Sequence, residues 1–315
     1  MNPWPHKDLV SIRQLTRDQF DYLLQTARSF KEILSRPIKK VPSLRGKTVV
    51  NLFVEPSTRT RLSFELAATR LSADVLNLDS DTSSFKKGES LLDTARNLQS
   101  MGADIIILRH NAAGSADFLA RRLPAHIINA GDGAHEHPTQ AILDVFTIRE
   151  RLGSLENKRV LIVGDILHSR VARSNIYALK LYGADITLVG PPTLVPRVFE
   201  SLGVRVAHEL DAHLPTADVI YLLRIQHERQ RATYFPGVND YVYLYGLTPA
   251  RLGLCKPTAI IMHPGPMNRG VEIHSDIADS PQSTILEQVN NGLAVRMAVL
   301  YALAAGTAQM AFPTA

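Results

Sequence analysis

Apolar runs rich in β-branched residues alternate along this chain with segments of helical spacing, and this alternation is what most constrains its fold. Parallel strands need a long crossover connection that is usually a helix, so strands alternating with helices favour a parallel sheet. The sequence therefore predicts an α/β protein. The runs that predict buried strands are 48–54, 103–108, 126–130, 159–163, 185–189, 218–223 and 259–262.

Amphipathic segments between these runs predict the helices. The first of them opens with Thr16 and Gln19 in the Thr-x-x-Gln pattern of a capping box. Gly153 follows another segment and is typical of the residue just after a helix C-terminus. The predicted helices are 16–34, 58–71, 138–152, 171–181, 196–202 and 283–305.

The strand and helix pattern occurs in two series, which fits two domains in a chain of 315 residues. A polar, glycine-containing stretch at 153–158 separates the series and resembles a linker. We therefore predict domains at 1–153 and 154–315, each a parallel β-sheet flanked by helices. The last helix is long enough to pack back on the first domain.

Composition limits the classes of function. Apolar residues make up 45% of the chain and charged residues 21%, as in soluble globular proteins. The 35 Lys and Arg exceed the 30 Asp and Glu and favour anionic partners, but they are dispersed and aromatics are only 6%, which disfavours nucleic-acid binding. One cysteine, Cys255, cannot form an intrachain disulfide, so we expect a cytoplasmic setting. No signal-peptide core or apolar run of about 20 residues predicts membrane association.

Hydroxyls and arginines crowd into the start of the helix at 58–71, directly after a strand. Backbone N–H groups at a helix N-terminus bind anions, and Ser57, Thr58 and Thr60 add hydroxyl donors. Arg59 adds a planar fork suited to phosphate oxygens. The alternative is that Ser57 or Thr58 only caps the helix and the arginines are solvated. Helix N-termini favour acidic residues, so the arginines indicate a bound anion.

Further polar residues follow the other strands of the first series. Arg109 and His110 come at the end of a strand, where parallel sheets bind ligands, although a surface arginine is an equal alternative. His135 and His137 could ligate a metal, but no cysteine or obvious third ligand accompanies them, so no metal is expected. A structural or solvated histidine remains an alternative. Lys87 lies in a polar loop, where most lysines are simply solvated.

Arginines also follow strands of the second series. Arg170 and Arg224 could clamp two carboxylates, as a dicarboxylic amino acid requires. The turn at 164–169 lacks the G-x-G-x-x-G spacing of a dinucleotide site, so a nicotinamide cofactor is not expected.

The Ser-Thr-Arg-Thr-Arg segment at 57–61 resembles the phosphate-binding motif of the aspartate and ornithine carbamoyltransferases. The resemblance covers nearly the whole chain, and the motifs occur in the family's order. The others are Lys-Gly-Glu at 87–89, His-Pro-Thr-Gln at 137–140 and His-Pro-x-Pro-x-Asn-Arg-Gly at 263–270. The resemblance implies an enzyme that transfers the carbamoyl group of carbamoyl phosphate without a cofactor or a metal.

The resemblance also assigns residue roles. Thr60, Arg109 and His137 are implied to be catalytic, since donors aimed at the carbonyl oxygen act as an oxyanion hole. Backbone carbonyls at 265 and 266 would bind the carbamoyl amino group, and position 265 departs from the commoner His-Pro-Leu-Pro-Arg form. The implied carbamoyl phosphate-binding residues are Ser57, Thr58, Arg59, Thr60, Arg109, His137, Gln140, Gly265 and Pro266.

Two motifs indicate the acceptor. His-Ser-Arg-Val-Ala-Arg-Ser at 168–174 and Arg-x-Gln at 224–226 are similar to the aspartate carbamoyltransferases, whereas ornithine enzymes carry Asp-x-x-Asn-x-x-x-Ser and His-Cys-Leu-Pro. The implied reaction forms N-carbamoyl-L-aspartate in de novo pyrimidine biosynthesis. The implied aspartate-binding residues are Lys87, Arg170, Arg224 and Gln226.

The resemblance further implies an oligomer. In the family, the residues that match Ser83 and Lys87 enter the active site of the adjacent subunit, so a homotrimer is expected. A larger assembly with a regulatory chain or a dihydroorotase is left open. Two alternatives for the function also stay open: a carbamoyltransferase for another acceptor, such as ornithine or an acylated ornithine, and a non-catalytic assembly subunit.

Overall fold

The structure is a computed structural model that describes residues 4–79, 88–225 and 237–310. Contacts within the chain divide it into two compact units. Unit 1 runs to Leu143 and resumes at Asn290, and unit 2 is Asp144–Val289. Two helices, at 138–152 and 285–310, therefore carry the chain from one unit into the other.

Unit 1 contains a parallel sheet of four strands in the order β2-β1-β3-β4. Its strands are β1 (Thr48–Phe53), β2 (Asp74–Asp79), β3 (Ile105–His110) and β4 (His126–Asp132). Its helices are α1 (Arg17–Leu34), α2 (Thr58–Arg70), α3 (Leu91–Ser100), α4 (Ser115–Ala120) and the start of α5 (Pro138–Leu152), with a 3-10 turn at Ile12–Gln14. Strand side chains such as Val50, Ile106 and Ile127 pack with Leu98 and Leu119 into one core.

Unit 2 contains a parallel sheet of five strands in the order β7-β6-β5-β8-β9. Its strands are β5 (Arg159–Val163), β6 (Asp185–Val189), β7 (Arg205–Ala207), β8 (Val219–Leu222) and β9 (Ile260–Met262). Its helices are α6 (Arg170–Leu181), α7 (Val238–Tyr245), α8 (Pro249–Leu252), α9 (Ser275–Ala278) and the start of α10 (Ile285–Met310), with 3-10 turns at Arg197–Leu202 and Leu214–Thr216. The predicted two-sheet α/β architecture is confirmed.

Local sequence signals account for the ends of several elements. The capping box predicted before α1 is present, because Thr16 Oγ1 accepts from Gln19 N at 3.3 Å and Gln19 Oε1 accepts from Thr16 N at 3.0 Å. The spacing of Phe20, Leu23 and Ala27 buries one face of α1. Helix capping and amphipathic spacing thus fix α1 where the sequence predicted it.

The N-terminal segment covers the outer edge of β4. Leu9 pairs with Ile128 as a bridge, its N–H donates to Ile127 O at 2.9 Å, and its carbonyl accepts from Asn129 N at 2.9 Å. The Asp8 carboxylate accepts from the N–H of Ile127 at 2.7 Å. These bonds satisfy backbone groups that an edge strand would otherwise expose.

Several elements differ from the sequence-based expectation, among them the following three. Strand β2 was not predicted, because Asp74–Asp79 mixes acidic and apolar residues and lies at a sheet edge with Leu76 48% exposed. The segment 196–202, predicted as a helix, forms a short 3-10 turn instead. Strand β3 begins and ends two residues later than predicted, which places Arg109 and His110 inside the strand.

The last helix joins the core of unit 1. Arg296 Nη1 donates to Ser63 Oγ at 2.8 Å, and its guanidinium lies 5.1 Å from the centre of the Phe64 ring on α2. Val295 and Val299 are fully buried. The predicted packing of the last helix on the first half of the chain is therefore confirmed. None of the helices in the described ranges combines the length and the apolar character needed to cross a membrane.

Candidate active site

The carboxyl ends of β1, β3 and β4 lie side by side in unit 1, because these strands are parallel neighbours. Phe53, the last residue of β1, pairs with Arg109 of β3. The segment after β1 then folds over the end of β3, where the N–H groups of Val54 and Glu55 donate to Arg109 O at 2.9 and 3.3 Å. This segment leads directly into α2. The end of the sheet therefore meets the start of a helix here.

The N-terminus of α2 has an unused cap. Ser57 occupies the N-cap position with extended backbone, but its side chain makes no capping hydrogen bond. In α3 and α6, by contrast, the cap hydroxyls of Ser90 and Ser169 accept a backbone N–H. The first turn of α2 also contains no acidic residue. Thr58 and Arg59 are exposed in that turn, whereas Thr60 is buried. The turn thus offers donors to an anion.

Arg109 is held in one orientation by two partners. Its Nη2 donates to Glu55 Oε1 at 3.0 Å, and its Nη1 donates to Ala130 O at 3.1 Å. Only 13% of its side chain is exposed. A planar guanidinium held by Glu55, which follows β1, and by Ala130 of β4 loses little further freedom when it binds a ligand. Arg109 is therefore a preorganised cation at the sheet edge.

Asp132 organises the end of β4. Its carboxylate accepts from Gly114 N at 2.6 Å and from Asn129 Nδ2 at 2.8 Å, and it pairs with His135 Nδ1 at 3.0 Å. Burial by itself would raise the pKa of Asp132, but the bonds from His135, Asn129 and Gly114 outweigh burial and hold that pKa below its ordinary value. Asp132 is therefore an ionised hub beneath the loop that leads to His137.

We expect Asp132→Asn to lower the free energy of unfolding by about 1.5 to 3 kcal/mol at neutral pH, the usual contribution of hydrogen bonds to a charged group. Because the folded-state pKa of Asp132 lies below 3.8, this stability is present above that pH and is lost as the pH falls through the folded-state pKa. Urea unfolding from neutral pH downward should show the two proteins converging in acid.

Asp117 provides a matched control for that change. It pairs with Arg121 at 2.8 Å on the surface of α4, with 45% of its side chain exposed. Asp117→Asn should therefore change the unfolding free energy by no more than about 1 kcal/mol. Equal losses in Asp117→Asn and Asp132→Asn would contradict the hub role of Asp132.

His137 lies at the entrance to α5, beyond a buried turn. The Glu136 N–H donates to Asp132 Oδ1 at 3.2 Å, and the Glu136 carboxylate binds the Ser11 hydroxyl and accepts from Ile12 N at 2.9 Å. His137 itself is buried, and its carbonyl accepts from the N–H of Gln140 at 3.0 Å. The backbone on both sides of His137 is thus fixed. His137 and Gln140 lie at the same sheet edge as Arg109.

In unit 2 the neighbouring strands β5, β8 and β9 bring three predicted segments to one edge. Arg170 begins α6 after β5 and is buried. Arg224 follows β8, and the turn with Gly265 follows β9. Asn268 Nδ2, farther along that turn, lies 3.4 Å from Ile225 O and joins it to the segment after β8. The predicted amino-acid site and the predicted carbonyl acceptors for the carbamoyl amino group therefore share the carboxyl edge of this sheet.

The turn after β9 depends on glycine at one position. Gly265 has φ of +64°, in the left-handed region, where a residue with a Cβ is destabilised by about 1 to 2 kcal/mol. The sequence departs from the family's commoner leucine at this position, and the backbone conformation accounts for the glycine. The direction of a peptide carbonyl in such a turn is determined by the backbone conformation and not by a side chain.

Three predicted site residues, Ser83, Lys87 and Gln226, lie outside the described residues. Within the described ranges, no group of three or more His, Cys, Asp or Glu side chains is arranged to hold a metal. His135, the other member of the His-x-His pair, contacts Asp132.

Sequence reasoning overlooked three acidic residues that orient predicted site residues or the turns beside them. Glu55 orients Arg109, Asp132 supports the turn before His137, and Asp165 accepts from His168 N at 3.1 Å before α6. Asp165 is fully buried. An acidic residue within a few positions of a buried strand's end was the available signal.

Comparison with known proteins extends these observations to the whole chain. Residues 7–150 match the model of the carbamoyl-P binding domain of aspartate/ornithine carbamoyltransferases. Residues 156–303 match the model of the Asp/Orn binding domain of the same family. Together the two models span nearly all of both units.

Individual proteins that resemble this chain belong to the same family as the two domain models. The chain is 57% identical to the aspartate carbamoyltransferase catalytic subunit of Opitutus terrae, over 99% of both chains. It superposes with a TM-score of 0.86 and 29% identity on aspartate transcarbamoylase of Trypanosoma cruzi in complex with carbamoyl phosphate and aspartate, covering 96% of this chain and 98% of that one. The catalytic subunit of M. jannaschii aspartate transcarbamoylase gives a TM-score of 0.81 and 36% identity, with 95% and 98% covered. The chain belongs to the aspartate/ornithine carbamoyltransferase family.

Proposed function

We propose that this protein is an aspartate carbamoyltransferase catalytic subunit. It transfers the carbamoyl group of carbamoyl phosphate to L-aspartate and releases inorganic phosphate. The product, N-carbamoyl-L-aspartate, belongs to de novo pyrimidine biosynthesis. The relatives cited above carry the same activity in their names, at identities of up to 57% over almost the full length.

One observation supports this function above the others. At the start of α2, the Ser57 side chain makes no capping hydrogen bond. Arg109 lies beside it and is already hydrogen-bonded to Glu55 and Ala130. Helix N–H groups, hydroxyls and a guanidinium suit the phosphate of carbamoyl phosphate. Arg59 adds a second guanidinium in the same turn. This arrangement supports the proposal that Ser57, Thr58, Arg59 and Thr60 bind the phosphate.

The chemistry needs stabilisation of negative charge and little else. Attack by the amine of aspartate on the carbamoyl carbon places negative charge on the carbonyl oxygen. Thr60, Arg109 and His137 donate to that oxygen and lower the barrier as an oxyanion hole. Phosphate then departs with the electrons of the carbon–oxygen bond, and its dianion accepts the proton of the attacking amine. Gln140 and the carbonyls of Gly265 and Pro266 orient the carbamoyl amide.

The acceptor is bound by residues of unit 2. Arg170 and Arg224 follow neighbouring strands and provide two guanidinium groups for the two carboxylates of aspartate. Lys87 and Gln226 complete this set in the family's pattern. A cationic acceptor such as ornithine would be repelled by two arginines.

The assembly follows the same pattern. We propose a cytoplasmic homotrimer in which Ser83 and Lys87 of one subunit complete the site of its neighbour. Exposed apolar residues on α2, Leu62 at 51% and Leu66 at 41%, are consistent with a subunit contact.

The purified protein should carbamoylate L-aspartate and not L-ornithine or N-acetyl-L-ornithine. The measurement is release of inorganic phosphate from carbamoyl phosphate in the presence of each amino acid, with product identity checked by mass. We expect turnover with aspartate to exceed turnover with either ornithine by at least about 10³, because each mismatched buried charge costs several kcal/mol.

Each outcome separates the candidate functions. Turnover with an ornithine alone would contradict the assignment of Arg170 and Arg224. Absence of turnover with all three acceptors, in a protein that still binds carbamoyl phosphate, would favour a non-catalytic assembly subunit.

A further inference from the structure

We propose that a buried chain of polar side chains, Asp144, Gln288, His263 and Glu272, positions the turn whose carbonyls bind the carbamoyl amino group, an inference that rests on the proposed function. None of the four is more than 3% exposed. All four belong to unit 2. They act as positioning residues, because they reach the substrate only through the backbone of Gly265 and its neighbours.

His263 is fixed as one neutral tautomer. The N–H of Gly265 lies 2.8 Å from His263 Nδ1, and a backbone N–H can only donate, so Nδ1 is the acceptor. The ring proton must then be on Nε2, which donates to Glu272 Oε1 at 3.1 Å. The imidazole therefore links the start of the turn to a buried carboxylate. Rotating or doubly protonating the ring would break the bond to Gly265.

Glu272 holds the far end of the same turn. Its Oε1 accepts both the His263 ring N–H and the backbone N–H of Asn268, the latter at 2.5 Å. Gly265 thus lies between two points, His263 and Asn268, that are tied to a single carboxylate oxygen. The conformation of the turn is set by this clamp, and with it the direction of the Gly265 and Pro266 carbonyls.

Asp144 and Gln288 anchor the clamp to helices. Asp144 Oδ1 accepts from Gln288 Nε2 at 2.8 Å. A carboxylate can only accept, so the amide of Gln288 is oriented with Oε1 towards His263, whose backbone N–H donates to it at 3.0 Å. The other oxygen, Asp144 Oδ2, accepts from Asn175 Nδ2 at 2.8 Å and from the Tyr221 hydroxyl at 2.7 Å. The chain thus runs from α5 through α10 to the turn after β9.

Burial strengthens the hydrogen bonds of this network, and the bond from Gly265 to His263 acts on the turn most directly. Hydrogen bonds in a low-dielectric interior are strong, and a buried polar group left without its partner costs about 1 to 3 kcal/mol. A turn that shifts by about 1 Å can lower a reaction rate about a hundredfold. We therefore expect the network to affect how the carbamoyl group is oriented and not how phosphate is held.

Two substitutions at His263 test its two hydrogen bonds separately, because each variant keeps one bond and loses the other. In His263→Asn the amide oxygen replaces Nδ1 and can still accept from Gly265, whereas the bond to Glu272 is lost. In His263→Gln the longer amide replaces Nε2 and can still donate to Glu272, whereas the acceptor for Gly265 is lost. We expect kcat/KM for carbamoyl phosphate to fall by less than about tenfold in the Asn variant and by about a hundredfold in the Gln variant.

Inhibition by inorganic phosphate distinguishes a positioning role from general structural damage. General damage would weaken phosphate binding together with activity, whereas a positioning role would lower activity alone. Phosphate binds the residues of unit 1, so its inhibition constant should stay within about twofold of the parent in both variants. Equal kcat/KM in the Asn and Gln variants would overturn the inference. So would a phosphate inhibition constant that rises in parallel with the loss of activity.

Gln288→Met tests the anchor and has a matched control in Gln282→Met. Both glutamines form two hydrogen bonds near β9, but those of Gln282 Nε2 go to Lys256 O and Ala259 O, away from the turn. We expect Gln288→Met to lower kcat/KM for carbamoyl phosphate at least about tenfold and Gln282→Met to leave it within about twofold. Equal kinetic losses at similar melting temperatures would remove Gln288 from the positioning chain.

The parent protein separates failure of this inference from failure of the proposed function. If the parent forms N-carbamoyl-L-aspartate and the variants match it, only the positioning role is wrong. If the parent lacks this activity, the proposed function itself is wrong. Binding of carbamoyl phosphate to parent and variants, followed by calorimetry, would then still report whether the network orients the carbamoyl group.

Discussion

Arg109→Ala should lower kcat by about 10² to 10³, the usual cost of one oxyanion donor. Glu55 and Ala130 hold the guanidinium in position before any substrate binds, so its contribution to the transition state carries little ordering cost. The loss should appear in kcat with carbamoyl phosphate at saturation, measured by phosphate release. The melting temperature is recorded in parallel, because Glu55 is left without this cation.

Two further variants control for charge and for general damage. Arg109→Lys keeps the positive charge but cannot contact Glu55, Ala130 and a ligand with one planar group, so most of the loss should remain. Arg121→Ala removes an exposed arginine that pairs with Asp117 on α4, and its kcat should equal that of the parent. A kcat for Arg109→Ala within tenfold of the parent would exclude Arg109 from the chemistry.

Mixing two inactive variants should restore activity if subunits share their sites. Arg59→Ala removes a phosphate donor, and Lys87→Ala removes the residue proposed to act in the neighbouring subunit, so each alone should lose at least about a hundredfold. When equal amounts are unfolded and reassembled together, about a quarter of the sites in a symmetric oligomer combine an intact Arg59 with an intact Lys87. Activity should recover to about a quarter of the parent value.

The control for the hybrid experiment is each variant unfolded and reassembled alone. Neither should regain activity, because every site then lacks the same group. A mixture of Arg59→Ala and Arg109→Ala should also stay inactive, since both residues belong to the same unit of one chain. Absence of recovery in the Arg59→Ala and Lys87→Ala mixture, despite formation of mixed oligomers, would contradict a shared site.

Much of the fold could be predicted because strong local patterns decide it. Strands β5 and β6 and helix α5 lie at the predicted residues, since continuous apolar runs and a terminal glycine mark them clearly. Strand β2 escaped prediction because Asp74–Asp79 is stabilised by pairing with β1, and an edge strand needs little apolar character of its own. The segment Arg197–Leu202 forms a 3-10 helix where the sequence predicted a helix of unspecified type.

The candidate site divides in a similar way. Arg59, Arg109 and His137 could be predicted as site residues from their residue type, from the motifs that contain them and from their place after a strand. The carboxylates of Glu55 and Asp132 were overlooked, because their place near a strand end is a weak local signal and their hydrogen-bond partners are set by the fold. The same holds for Gln288, which acts 25 residues away from the turn it supports.

The sequence by itself determined the α/β class, most element positions and the family, because apolar periodicity, caps and phosphate-binding motifs are local properties of the chain. Tertiary structure alone decided which strand ends are neighbours and that Glu55 holds Arg109. It also decided that Asp144 and His263 belong to one hydrogen-bonded chain. Hydrogen-bond partners distant in sequence are selected by burial, because a buried donor or acceptor without a partner is costly, and burial exists only once the chain is folded.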